Sequence, residues 1–358
     1  MRDDVLSPYV TTEDAGVYLR AAIARAHQQA KNLDRLFHFT LPGLQLTVRS
    51  FEGAVAEGVE RNLLDQPGVP GVPAVDELEV VVAHAGLLGM PACARWGHQV
   101  YSPHRLDRVL AAEGLRGSYN GDSGHWYAYD LRAGVAVELL PAADGYPPWE
   151  PGAPLRPILH WYYAQRDLRL AHGGTLGLDG VGTLLVGAGG SGKSGTVLAG
   201  VLYGLDTVGD DYVLLDRGTP ARAYPLYAPL RQDPAGFERL ELERFIPRDR
   251  ALNWQGKHQF SIAELGGRSF APHLEIKSLL LPRLAKRSRT RIRPASRADG
   301  MRALAMSSIG QMPGERESGF RFFGDVARRL PCFHLEVGEV PEEIAARVER
   351  FLREGTAD

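Results

Sequence analysis

The stretch LLVGAGGSGKSGTVLAG, residues 184–200, limits the possible folds more than any other. An apolar run enters it, four glycines fall between Gly187 and Gly192, and a helical pattern leaves it. Glycine loses more conformational freedom on folding than any other residue, so this density implies a demand on the backbone itself. Gly187, Gly192, Lys193 and Ser194 fit G-x-x-x-x-G-K-[ST], with the preceding strand and following helix that the motif requires. Amide groups can surround phosphate oxygens only where no Cβ intervenes. The expected cradle is therefore Gly187, Gly189, Gly190, Ser191, Gly192, Lys193, Ser194 and Gly195, aided by the positive end of the helix. Lys193 should reach the β- and γ-phosphates of ATP, and the Ser194 hydroxyl should ligate Mg²⁺. A glycine-rich turn without a ligand is the plainer alternative.

Asp210 and Asp211, in TVGDDYVLLD, follow Lys193 by 17 and 18 residues. A helix and a strand fill that interval, which places the pair beside the loop. Two adjacent carboxylates can divide the work: Asp210 orients Mg²⁺ or its waters, while Asp211 accepts a proton from a hydroxyl nucleophile. The same GDD triplet is also good turn chemistry, so a surface turn is the competing reading. His172 stands before GTLGLDGVGTLLVG, which reads as a hairpin leading into the loop. Folding back would carry His172 toward the loop, although spacing alone favours a structural histidine.

Around this centre the chain alternates strand (181–187), helix (193–204) and strand (206–216), the signature of an α/β core. Upstream, 13–37 reads as an amphipathic helix capped by Thr11 and Thr12, 38–51 as a strand pair, and 54–64 as a short helix. The Pro/Gly-rich 65–77 reads as a loop, 78–86 as a strand, and 125–131 with 134–141 as a hairpin. A second Pro/Gly cluster at 141–154 marks the best domain boundary, giving an N-terminal α+β domain over 1–150 and an α/β domain over 151–358. Residues 155–171 read as a helix, 275–284 and 290–296 as strands, and 297–308 and 341–352 as helices.

Composition excludes several classes. A net charge of −2 over 358 residues favours neither nucleic acid nor an anionic membrane. The basic run LPRLAKRSRTRIRP (281–294) reads as a solvated strand–loop face. Cys93 and Cys332 are the only two cysteines, too few for a disulfide framework or a thiolate metal site. The polar start MRDDVLSPYVTTEDAG carries no signal-peptide pattern, and no window is apolar enough to span a membrane. A cytoplasmic protein is the expectation.

The combination AHG…GVGTLLVGAGGSGKS…VGDDYVLL resembles the C-terminal kinase domain of HPr kinase/phosphorylase and the wider HPr-kinase-like group. That group shares its phosphate-loop core with phosphoenolpyruvate carboxykinase. The resemblance covers roughly 168–216 well and the remainder to the C-terminus in outline. It implies an ATP- and Mg²⁺-dependent phosphotransferase in which Asp211 is the base on a seryl hydroxyl, assisted by Asp210 and His172. It also implies that a carboxylate in the region of Glu238, Glu241 and Glu243 completes the metal shell, with no motif to select among them. Gly195 stands where the family usually has Glu or Thr. No counterpart of the family's glycine-rich docking signature occurs in 217–270. These departures put HPr itself in doubt as the acceptor and point to a serine on a peptide or other small protein, recognised by the N-terminal domain. A small-molecule kinase and a nucleotide-sensing module remain as alternatives, and an oligomer is left open.

Overall fold

A computed structural model describes residues 12–66, 76–91, 103–285 and 288–358. The chain divides into two compact units, Met1–Tyr162 and Tyr163–Asp358. The capping residue Thr11, the N-terminal ten residues, most of the 65–77 loop and Cys93 lie outside the described residues.

The first unit contains α1 (Thr12–Gln29), β1 (Arg35–Leu41), β2 (Leu44–Ser50), α2 (Ala54–Asn62), β3 (Asp76–His84), α3 (Pro103–Ala112), β4 (Leu115–Asn120), β5 (His125–Asp130) and β6 (Val135–Leu140). Helix α4 (Arg156–Ala164) carries the chain into the second unit. The sheet order is β1-β2-β3-β6-β5-β4, with β2, β3 and β6 parallel and the β5–β6 hairpin antiparallel as its alternation predicts. Leu19, Ala22 and Ala26 on one face of α1 pack on Val81, Val137 and Leu139 of the sheet. Helix α1 is shorter than the sequence suggests. Leu36 and Phe37 belong to β1, where Phe37, Phe39 and Leu41 alternate into the core and pair with β2. A period of two, backed by a full strand ladder, overrides the local helical pattern.

The second unit runs β7 (Leu168–His172), β8 (Gly174–Leu178), β9 (Val181–Leu185), α5 (Lys193–Leu202), β10 (Tyr212–Asp216), β11 (Ala221–Tyr224), β12 (Pro229–Gln232), α6 (Pro234–Arg239), β13 (His258–Ser261), β14 (Leu274–Leu284), β15 (Arg291–Pro294), α7 (Arg297–Ile309), α8 (Arg316–Arg329), β16 (Cys332–Val337) and α9 (Pro341–Glu354). The helix expected over 155–171 is therefore cut in two. It stops at Ala164, and Leu168–His172 becomes a strand because each of its residues pairs with β10, from Asp216 back to Tyr212.

Pairings run β8–β9–β14–β11–β10–β7, and only Gly173 separates β7 from β8, so the ladder returns to its starting point. The longer β14 also takes β16 in parallel, and β15 follows. Residues on β9 alternate sides: Leu184 packs toward α7 and α8, and Leu185 toward α5 and α9. Leu279 and Leu280 of β14 divide in the same way. Helices thus cover both faces of a mixed sheet, the arrangement the α/β pattern implies. Of the basic run, Arg283 on β14 and Arg291 and Arg293 on β15 are exposed, with Arg283 paired to Glu336 at 2.6 Å. Cys332 is buried and unpaired, its thiol pushed up to about 12 by burial.

Candidate active site

Strand β9 delivers the chain to Gly187, and α5 begins six residues later at Lys193. Gly192 takes φ 102°, a left-handed conformation that side chains rarely adopt, and a Cβ there would lie 2.8 Å from Leu284 Cδ2. Only glycine turns the chain at this point into a helix whose first amides face outward. Lys193 folds back over the loop: its Nζ donates to the carbonyls of Gly187 at 2.7 Å and Ala188 at 3.1 Å. Burial lowers the ammonium's affinity for its proton, while the nearby charges of Asp210 and Asp211 act against that shift.

Asp210 and Asp211 lie just before β10, where residues 206–211 run along β8 through Gly177 N to Asp206 O (2.8 Å), Thr175 N to Gly209 O (3.0 Å) and Gly173 N to Asp211 O (3.1 Å). The two carboxylates have opposite environments. Asp210 is 4% exposed, and its Oδ1 has no hydrogen-bond partner. Burial, then the negative charge of Asp211, pushes its carboxyl up to about 7, against the pull of a hydrogen bond from Ser194 and the charges of Lys193 and Arg231. Close packing makes this pocket: a Cβ on Gly174 would sit 3.3 Å from Asp210 Oδ1 and 2.6 Å from Val197.

Asp211 faces outward. Its Oδ1 lies 3.3 Å from His172 Nε2, and its Oδ2 accepts from Arg231 Nη1 at 3.0 Å. His172, the last residue of β7, is fixed from several sides. Its backbone amide donates to Ser308 Oγ at 3.0 Å, its ring lies against Tyr212, and Gln311 Nε2 approaches Nδ1 at 3.1 Å. Tyr212 donates to Gln311 Oε1, which turns the Gln311 amide nitrogen toward the imidazole. Nδ1 is then an acceptor, and the ring proton sits on Nε2, facing Asp211.

All four candidate catalytic residues, Lys193, Asp210, Asp211 and His172, line one cavity of about 400 Å³ together with Gly189, Gly190, Gly192, Ser194 and Gly195. Gly187 and Ser191 belong to the same loop, Gly187 holding Lys193 through its carbonyl. Three cations absent from the sequence reading join the wall: Arg231, Arg239 and Lys257. Arg231 arrives on β12 and Gln311 just beyond α7, both distant in sequence from the loop, and neither sits in a motif that would have marked it. The glutamates considered for a metal shell fall elsewhere. None of Glu238, Glu241 and Glu243 lines the cavity, and the first two pair on the surface with Arg248 and Arg244. The carboxylate that does line it, Asp233, caps α6 by accepting from Gly236 N at 2.7 Å.

Among the described residues no group of three or more His, Cys, Asp or Glu side chains is placed to hold a metal ion. A cation here would need ligand oxygens or water beside protein groups. The orphaned Oδ1 of Asp210 and the Ser194 hydroxyl next to it suit that partial coordination. No helix among the described residues is long and apolar enough to cross a membrane.

No protein-family model and no curated protein matches the chain. Among solved structures, the HPr(Ser) kinase/phosphatase from Coxiella burnetii is distantly similar, at 16% identity and a TM-score of 0.27, over 52% of this chain and 99% of that one.

Proposed function

We propose that the unit Tyr163–Asp358 is an ATP- and Mg²⁺-dependent phosphotransferase that phosphorylates a hydroxyl, a serine of a peptide or small protein. The observation that carries this reading is the convergence of the glycine loop, Lys193, Asp210, Asp211 and His172 on one cavity. Mg²⁺, when bound, would offset the negative charge of the phosphates. Ser194 Oγ and Asp210 Oδ1 would hold it, and Lys193 would leave the loop carbonyls for the phosphates. Asp211 takes the hydroxyl proton as the oxygen attacks the γ-phosphorus and the bond to the β-phosphate oxygen breaks. Burial raises the proton affinity of Asp210, but at 4% exposure it is closed to a substrate hydroxyl, whereas the Asp211 side chain is 32% exposed. His172 and Arg231 hold the Asp211 carboxylate in place.

One observation favours a nucleotide-sensing module instead. Both Asp211 oxygens are already engaged, one beside His172 Nε2 and the other by Arg231 Nη1. Asp211→Asn separates the two readings. A positioned base is worth about 10²–10⁴ in rate, so transfer of labelled γ-phosphate to a seryl peptide should fall by that order while ATP binding persists. An Asn variant that transfers at the wild-type rate removes the base assignment. A wild-type chain that binds ATP and transfers nothing supports the sensor.

A further inference from the structure

A second cavity in the same unit, of about 700 Å³, lies among residues 164–169, Arg217, the start of α7 and helix α8. Six arginines line it against two carboxylates, Asp167 and Asp325, an excess of four positive charges in a chain whose net charge is −2. At its base Arg169 is 5% exposed. Its Nη1 donates to the carbonyls of Tyr163, Arg166 and Leu168, its Nε is buried without a partner, and its guanidinium lies 5.4 Å from the Phe322 ring. Among the described residues no carboxylate lies within ion-pair distance of it, and Glu315 and Asp167 act on it only from farther off. A buried cation without an ion-pair partner is costly, and an anion entering the cavity would offset that cost.

The rim adds direction. Arg297 and Arg321 are exposed, Arg297 forms no ion pair among the described residues, and Arg321 meets only Glu317 on its own helix. Phe320 is 60% exposed beside them, and Met301 gives the cavity an apolar wall. Arginines that share the rim with Asp167 and Asp325, which already pair with Arg217 and Arg328, suit separate carboxylates better than one compact phosphate or a run of phosphodiesters. The volume lies in the range of sites for short segments and small ligands.

We propose that this cavity docks an acidic peptide segment, its carboxylates against Arg169, Arg297 and Arg321 and an apolar side chain over Phe320 and Met301. Helix α7 links it to the other site: Arg297 borders the groove, and Ser308, about 16 Å along the helix, holds the His172 amide. Together with the kinase reading, on which this step alone rests, an acceptor would carry its acidic segment about five extended residues from the modified hydroxyl.

The test is fluorescence anisotropy without nucleotide, using a fluorescein-labelled Glu-Glu-Phe-Glu-Glu peptide and its Gln-Gln-Phe-Gln-Gln counterpart. The glutamate peptide should bind at least about tenfold more tightly, and Arg297→Glu with Arg321→Glu should weaken it by about tenfold or more, with salt acting in the same direction. Both substitutions are on exposed residues, and an unchanged melting temperature verifies the fold, which Arg169 variants would endanger. The proposal is overturned by equal binding of the two peptides, by no binding of either, or by wild-type affinity in the double variant. Displacement by inorganic phosphate or an RNA oligomer at lower concentration than unlabelled peptide overturns it as well. An ATP–Mg²⁺ thermal shift of the wild-type chain reads the glycine-loop site separately, so loss of one reading leaves the other standing.

Discussion

Replacing Asp210 by Asn should make the ligand-free protein more stable, although the residue sits at the centre of the candidate site. The buried carboxyl is pushed up to about 7, while an unfolded aspartate titrates near 3.9. Below about pH 4 it is protonated in both states and adds nothing. Between about pH 4 and 7 the native state keeps a proton that the unfolded chain has released, so stability falls as pH rises. Above 7 the loss is complete, and the gap corresponds to roughly 4 kcal/mol as an upper bound. Relaxation around the ionised group leaves about half of that, or roughly 4–8 °C in melting temperature for a domain of this size. Asn fills the same space without the charge. Thermal unfolding of both proteins without nucleotide should show the variant ahead at pH 8 and the difference narrowing toward pH 5. Adding ATP and Mg²⁺ should reverse the order, because only the wild type gains from the metal. A variant no more stable than wild type at pH 8, or a gap independent of pH, refutes the reasoning.

Lys193→Ala should abolish the thermal shift produced by ATP and Mg²⁺ while leaving far-ultraviolet circular dichroism unchanged; an undiminished shift would show that phosphates do not bind at this loop. Gln311→Leu should lower kcat about tenfold with KM for ATP unchanged, because the His172 ring loses the amide that orients it beside Asp211. An unchanged kcat would make Gln311 merely structural. Titration calorimetry in buffers of different ionisation enthalpy should detect proton release on ATP–Mg²⁺ binding, close to one proton at pH 6 and fading above pH 8 as Asp210 ionises beforehand. Release that does not vary with pH, or that persists in the Asp210→Asn variant, would detach it from this residue.

What the sequence revealed was local in kind. The glycine loop and the double aspartate are legible because each is a contiguous pattern whose chemistry depends on neighbours along the chain. Even the nearness of His172 follows from one hairpin, with Gly174 opposite Leu185. Arg231 and Gln311 were hidden because Arg231 reaches the cavity through β12 and Gln311 reaches His172 from beyond α7, positions that only the assembled unit defines. Residues 165–171 failed for another reason. Leu168 and Leu170 suit a helix or a strand equally, and the ladder to β10 decides between them. The expectation of a metal-shell glutamate came from resemblance rather than residue chemistry, and Glu238, Glu241 and Glu243 all lie off the cavity.

The adjacency of Asp210 and Asp211 now has a physical sense that the turn reading lacks. The chain bends at both residues. One carboxylate is buried against Ser194, where a Cβ on Gly174 would meet Val197 at 2.6 Å and Asp210 Oδ1 at 3.3 Å, while the next emerges at the cavity between His172 and Arg231. Two anions side by side would repel each other and any phosphate approaching them. Burial eases this by pushing the Asp210 carboxyl up to about 7, so that it is only partly ionised near neutral pH, while Asp211 faces two partners. A surface turn would need neither the buried oxygen nor the paired one. Two neighbours in such different environments, one buried with its carboxyl pushed up to about 7 and one held at the cavity by His172 and Arg231, are what a site needs if the first is to become a ligand only when a cation arrives.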